Sequence, residues 1–188
     1  MLAHGAGAAM DTPFMNFLST GLAKQRFRVV RFEFPYMENY RATGKRKPPD
    51  REPVLRATWL RVVEKLGAHG LVIGGKSMGG RIASLVADDV GVAGLVCLGY
   101  PFHPVGKPDQ LRVQHLHTIK TPTLILQGER DAFGSREEVT GYKLSKAVKV
   151  LWIEDGDHSF KPRKASGQTE QQNWEAALSE IENFFATL

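Results

Sequence analysis

Three residues of this chain have the types and order that acyl chemistry needs. Ser77 lies in Gly75-Lys76-Ser77-Met78-Gly79, between the apolar run Leu71-Val72-Ile73-Gly74 and the helical run Arg81 to Val86. Strand, Gly-flanked serine and helix in that order describe a sharp turn that lifts a hydroxyl above a sheet edge. A serine hydroxyl is a weak nucleophile until a base takes its proton, and the base needs an acid partner to fix its tautomer. Asp131 follows the apolar run Thr123 to Gln127, and His158 follows Val148 to Ile153, so both occupy loops at strand carboxyl ends. The order Ser, Asp, His is the one such a turn requires.

Competing residues fit less well. His4 comes too early in the chain, and His69 precedes its strand. His103, His115 and His117 read as loop histidines whose spacing does not suit a metal site. Glu129 and Asp155 lie near the right places, but Asp131 is deeper in its loop; Asp157 beside Gly156 reads as a turn former. Cys97 is placed inside an apolar run, where cysteine behaves as a small buried hydrophobe. An attacked carbonyl becomes an oxyanion, which two backbone amides usually hold. Met78, after the serine, supplies one at a helix amino terminus. The second is expected from the turn His4-Gly5-Ala6-Gly7-Ala8, with Ala6 first and Gly7 second.

The same letters also satisfy a phosphate-loop signature, since Gly70 to Ser77 matches G-x-x-x-x-G-K-[ST]. In such a loop the variable residues wrap phosphates. Here Leu71, Val72 and Ile73 read as the strand itself, and the run Val92 to Leu98 ends in Gly99-Tyr100 without an acid to hold magnesium. Nucleotide hydrolysis is therefore the remote reading.

These residues must be carried by a scaffold. Apolar runs at Phe27 to Phe32, Leu71 to Gly74, Val92 to Leu98, Thr123 to Gln127 and Val148 to Ile153 alternate with amphipathic ones. The latter fall at Pro13 to Lys24, Pro53 to Leu66, Met78 to Val90, Arg136 to Lys146 and Gln172 to Leu188. The pattern predicts an α/β fold, a doubly wound and mostly parallel sheet of about six strands with helices on both faces. Ligands then bind beyond the strand carboxyl ends. Glu33 to Glu52 and Tyr100 to Pro122 are read as long loops that wall the cleft.

A length of 188 residues with 42% hydrophobic content suits one domain over residues 1–188. No apolar run is long enough to span a membrane and no signal peptide is visible, so a cytoplasmic protein is expected. The net charge of +5 concentrates in Arg41 to Arg51 and Lys161 to Lys164. Without interleaved aromatics these stretches argue against nucleic acid, and they read as solvated loops or as attraction for an anionic substrate.

Taken together the chain resembles the α/β-hydrolase superfamily, and within it the small lidless dienelactone-hydrolase-like branch. The resemblance rests on His4 to Ala8, Arg31 to Met37, Gly74 to Arg81, Gly99 to Pro104, Gln127 to Asp131 and Gly156 to Phe160. It is similar to a group of predicted hydrolases with His-Gly-Ala-Gly-Ala and Gly-Gly-Lys-Ser-Met-Gly-Gly-Arg motifs, and to one subunit of a nuclear histone-acetyltransferase complex. The resemblance implies that Ser77, Asp131 and His158 form a triad. Tyr36 and Phe102 are candidate substrate contacts. Lys76 is read as a solvent-facing stem, with a cation for substrate as the alternative. Only Met1-Leu2-Ala3 precede the oxyanion turn, so the sheet is either a minimal version or continues upstream. The expected function is serine hydrolysis of an ester, thioester or related acyl bond of a small substrate, without metal or organic cofactor. The alternative is a catalytically silent scaffold or binding protein of the same fold.

Overall fold

The computed structural model describes residues 1–188. Six parallel strands form one sheet in the order β2-β1-β3-β4-β5-β6. They are β1 (Leu2–Ala3), β2 (Arg31–Phe32), β3 (Val72–Lys76), β4 (Gly94–Leu98), β5 (Thr123–Gly128) and β6 (Val148–Ile153). Alternate residues of the central strands face opposite ways. Ile73, Leu95, Cys97 and Ile125 join one buried cluster, while Val96, Leu98, Leu124 and Leu126 join another. That two-sided burial explains why the strands read as continuous apolar runs rather than alternating ones.

Helices cover both faces. On one side α1 (Pro13–Lys24) and α7 (Glu170–Phe185) pack Phe14, Leu18, Leu22, Ala177 and Ile181 onto the sheet. On the other, α2 (Pro35–Thr43), α3 (Glu52–Leu66) and α4 (Met78–Ser84) bring Tyr36, Met37, Leu55, Trp59, Val63 and Ile82. Two shorter helices, α5 (Ala87–Val90) and α6 (Arg136–Val139), complete the set. No helix is long and apolar enough to cross a membrane.

Several boundaries differ from the sequence reading. The stretch Glu33 to Glu52, read as a loop because of its prolines, contains α2: Pro35 occupies its first turn and Gly44 closes it in the left-handed conformation at φ 68°. The helix expected over Met78 to Val90 breaks into α4 and α5 at Leu85 and Val86. The one expected over Arg136 to Lys146 stops after a single turn, followed by Gly141. β2 is cut to two residues at the sheet edge.

The strand order reverses between β1 and β3, which are paired through Leu2 with Gly74 and Ala3 with Gly75. Chain segments leaving these two carboxyl ends diverge to opposite faces and open a crevice between them. Residues His4 to Ala9 and Ser77 lie at that crevice.

Candidate active site

Ser77 joins β3 to α4 with φ 50° and ψ −115°, a backbone conformation that costs an L-residue energy. The cost is borne by its surroundings: the Ser77 N–H donates to the Leu98 carbonyl at 2.9 Å, and α4 begins at the next residue. Such a turn needs glycine on both sides. A Cβ on Gly75 would lie 2.3 Å from the Ala3 carbonyl oxygen, and one on Gly79 would lie 2.5 Å from that of His4. Gly74 and Gly75 belong to the strand, so no phosphate loop exists there.

The Ser77 Oγ is 2.9 Å from His158 Nε2, and His158 Nδ1 is 2.7 Å from Asp131 Oδ2. A carboxylate only accepts, so His158 carries its proton on Nδ1 and leaves Nε2 to accept from the serine. Asp131 is fully buried. It also accepts from Gln127 Nε2 at 3.0 Å and, through its other oxygen, from the Phe133 N–H at 2.9 Å. The Phe133 ring lies 4.4 Å from the imidazole, centroid to centroid. The rejected acids have other partners: Glu129 and Asp155 pair with arginines, and Asp157 accepts the Ser159 and Lys161 amides as a turn former. Cys97 is buried, and burial pushes its thiol up, away from reactivity.

Beside Ser77, Met78 is the first residue of α4, where an N–H has no acceptor in its own helix. The Ala6 and Gly7 amides make no hydrogen bond within the chain and line the same cleft. The turn they belong to is braced from below. His4, buried, bonds the Gly5 carbonyl through Nδ1 and accepts the Phe34 N–H through Nε2 at 3.1 Å. Its imidazole is pushed down by burial, which suits a neutral ring with one donor and one acceptor. Tyr36 donates its hydroxyl to the Ala6 carbonyl at 2.9 Å.

The cleft over Ser77 holds about 540 Å3, walled by Gly5 to Ala9, Thr12 to Met15, Phe133, Ser159, Glu170 and Trp174, with Lys76 and His158 at its base. These walls correct the sequence reading. Neither long loop lines this cleft: Tyr100 to Pro122 turns inward and buries Tyr100, Phe102 and His103, because Arg112 N–H bonds back to the Phe102 carbonyl at 2.7 Å. Phe102 is therefore core, packed against Tyr100 and Tyr142, and does not line this cleft. Tyr36 faces a separate hollow of about 320 Å3 behind the Ala6 to Ala9 ridge, shared with Tyr40, Arg46 and Lys47. Lys76 is not a solvent-facing stem: its Nζ donates to the His158 carbonyl at 2.7 Å, and burial pushes the ammonium down to about 8. A second cavity of about 460 Å3, lined mostly by apolar side chains, lies at the opposite strand ends, around Leu71, Val72 and Ala93, and holds none of these groups.

The family described as an alpha/beta hydrolase domain matches residues 1–186. The chain belongs to that family. Among solved structures the hydrolase-domain chain is similar to an alpha-beta serine hydrolase homologue from Coxiella burnetii, with 21% identity and a TM-score of 0.66. The match covers 100% of this chain and 83% of that one. It is similar also to Est1E from Butyrivibrio proteoclasticus, at 16% identity and a TM-score of 0.71 over 98% and 87% of the two chains. A serine hydrolase without lid from Xanthomonas campestris matches at 16% identity and a TM-score of 0.66, covering 97% and 81%. At these identities the likeness is one of fold. Within this hydrolase domain, sequence reasoning passed over His4 as a brace and Gln127 as a support of Asp131. The signals were there: a histidine opening a Gly-rich turn, and a glutamine in an otherwise apolar strand.

Proposed function

We propose that the chain is a serine hydrolase that cleaves an ester, thioester or related acyl bond of a small substrate through Ser77, His158 and Asp131. The observation that carries this reading is the unbroken hydrogen-bond path from Ser77 Oγ through the His158 ring to a buried Asp131, opening onto a cleft. Ser77 attacks the acyl carbonyl while His158 Nε2 takes its proton. Asp131 holds the imidazole by its Nδ1–H and stabilises the imidazolium that forms. The negative charge on the former carbonyl oxygen falls to the amides of Met78 and Ala6, with Gly7 as the alternative second donor. Collapse breaks the bond to the leaving oxygen or sulfur, which takes the proton from His158. Water then enters the open cleft, loses a proton to His158 and attacks the acyl-serine; collapse returns Ser77 and releases the acid. Arg46 and Lys47, in the hollow behind the oxyanion turn, support acceptance of carboxylated substrates as well as neutral ones.

A fluorophosphonate probe tests the nucleophile. Labelling is expected in the wild-type chain and absent in Ser77→Ala, with turnover of short p-nitrophenyl esters lost in step. Equal labelling of Ser77→Ala, or none in a folded wild-type sample, overturns the proposal.

A further inference from the structure

Lys76 is the residue this mechanism leaves unused. It ends β3 immediately before Ser77, and its side chain runs beneath the oxyanion turn, with Cγ 3.6 Å from where a Gly5 Cβ would be. Its ammonium ends against Gly99, a left-handed residue at φ 66° just beyond β4. A Cβ on Gly99 would lie 2.9 Å from Nζ. There Lys76 donates to the His158 carbonyl, which accepts from no other group in the chain. No carboxylate is within ion-pair distance of Lys76. The charged and titratable groups packed around it are Asp131 from the loop after β5, and Asp157 and His158 from the loop after β6; Gly5 and Gly99 bring none.

Burying an ammonium is unfavourable, and a methionine would fill the same slot without a charge. What the charge contributes is a second tie between two chain segments that already meet once. Ser77 and His158 touch through their side chains; Lys76 and His158 touch through an ammonium and a backbone carbonyl. The first tie orients the ring. The second fixes how far the His158 loop stands from the strand end that carries the nucleophile.

We propose that Lys76 is a positioning residue of the hydrolytic site, holding the His158 backbone at the height that sets the distance from Ser77 Oγ to the imidazole. This rests on the reading of Ser77 as nucleophile and His158 as base. A misplacement of about 1 Å between reacting groups costs roughly a hundredfold in rate. Such a loss falls on kcat, with KM little changed, and is the same for neutral and carboxylated substrates because the Lys76 ammonium is committed to the His158 carbonyl.

The test compares wild type, Lys76→Met and Lys76→Arg by fluorophosphonate labelling rate and by kcat and KM on paired neutral and carboxylated p-nitrophenyl esters. Thermal unfolding checks that each variant is folded. Lys76→Met is expected to lose about tenfold to a hundredfold in kcat and in labelling rate on both esters, and Lys76→Arg to recover part of it. A raised KM confined to the carboxylated ester makes Lys76 a substrate-anion site and overturns the proposal, as do unchanged kinetics on both. If Lys76→Met does not fold, Lys76→Gln takes its place, with the same loss in kcat and labelling rate expected and unchanged kinetics overturning the proposal. Absence of any Ser77-dependent labelling in wild type defeats the underlying reading instead, so the two failures are told apart.

Discussion

At the scale of single residues, Ser77, Asp131 and His158, the proposed nucleophile, acid and base, were singled out because each follows an apolar run at its carboxyl end, and the structure brings the three into one hydrogen-bonded path. The place of Lys76 was not legible. A lysine stem snorkels to water at most positions, and nothing in the letters around Ser77 says that Gly5 and Gly99 leave a slot for it to run inward. Its burial has a measurable consequence for stability. In the folded chain the ammonium is pushed from the ordinary 10.5 down to about 8, first by desolvation, with Asp131 and Asp157 opposing. Between those values the unfolded chain holds the extra proton, so stability rises with pH across that window. The rise is at most about 3 kcal/mol at 1.36 kcal/mol per unit. Lys76→Met removes the titrating group. Urea unfolding at pH 7 and pH 10 should show the wild type gaining stability and Lys76→Met gaining less; equal gains would mean the ammonium is solvated after all.

At the scale of elements, periodicity located α1 to the residue and β6 likewise, while it missed α2 and overextended the helices after Met78 and Arg136. Proline count misled at α2, where Pro35 is a start signal and only Pro48 and Pro49 lie in irregular chain. The apolar residues past both ends, Val86 and Ala87 after α4 and Tyr142 and Leu144 after α6, still pack against the core, so the apolar pattern runs on although the helices stop. The turn at Ser77 is the element that matters most, and it was legible because steric necessity writes itself as glycine. Gly79 lies in the first turn of α4 and presses against the end of β1, with its missing Cβ 2.7 Å from the Ala3 carbonyl oxygen and closer still to that of His4. Those are backbone atoms of a buried strand and cannot move aside. Gly79→Ala should therefore cost about 2–3 kcal/mol, lowering Tm by roughly 5–10 °C for a chain of this size. The shift also pushes the His4 to Gly7 turn away from Ser77, so the folded fraction should label with fluorophosphonate more slowly than wild type. A Gly79→Ala chain with unchanged Tm would show that α4 slides freely over β1.

At the scale of the whole molecule, the sheet order places the reactive turn at the switch between β1 and β3, and the helix that leaves each side decides what the cleft can hold. The long loops looked like walls because they start at strand carboxyl ends, yet the wall opposite Ser77 is made by the first turn of α1 and by α7, which come from the two ends of the chain. No local pattern announces that meeting. Within it Trp174 is a partition. It faces the cleft over Ser77, and with Pro13 it also faces a neighbouring groove of about 510 Å3 lined by Phe17, Gly21 and Leu178. Its ring is held edge-on to Phe14 at 5.5 Å, and its indole N–H points to the Ser159 carbonyl at 3.4 Å. Trp174 and Ser77 line the same cleft, so an acyl chain extending from Ser77 toward α7 meets this ring and the wild type should favour short acyl groups. Trp174→Ala joins cleft to groove along an apolar path. Each further methylene that becomes buried contributes about 0.8 kcal/mol, roughly fourfold in kcat/KM. In a series of p-nitrophenyl esters from acetyl to dodecanoyl, the wild type should peak among the shortest and fall beyond them. The Trp174→Ala optimum should move several carbons longer, with acetyl turnover little changed because the indole makes no hydrogen bond to Ser77, His158 or Asp131. An unmoved optimum in a folded variant would show that the acyl group leaves the cleft by another route, over the Ala6 to Ala9 ridge.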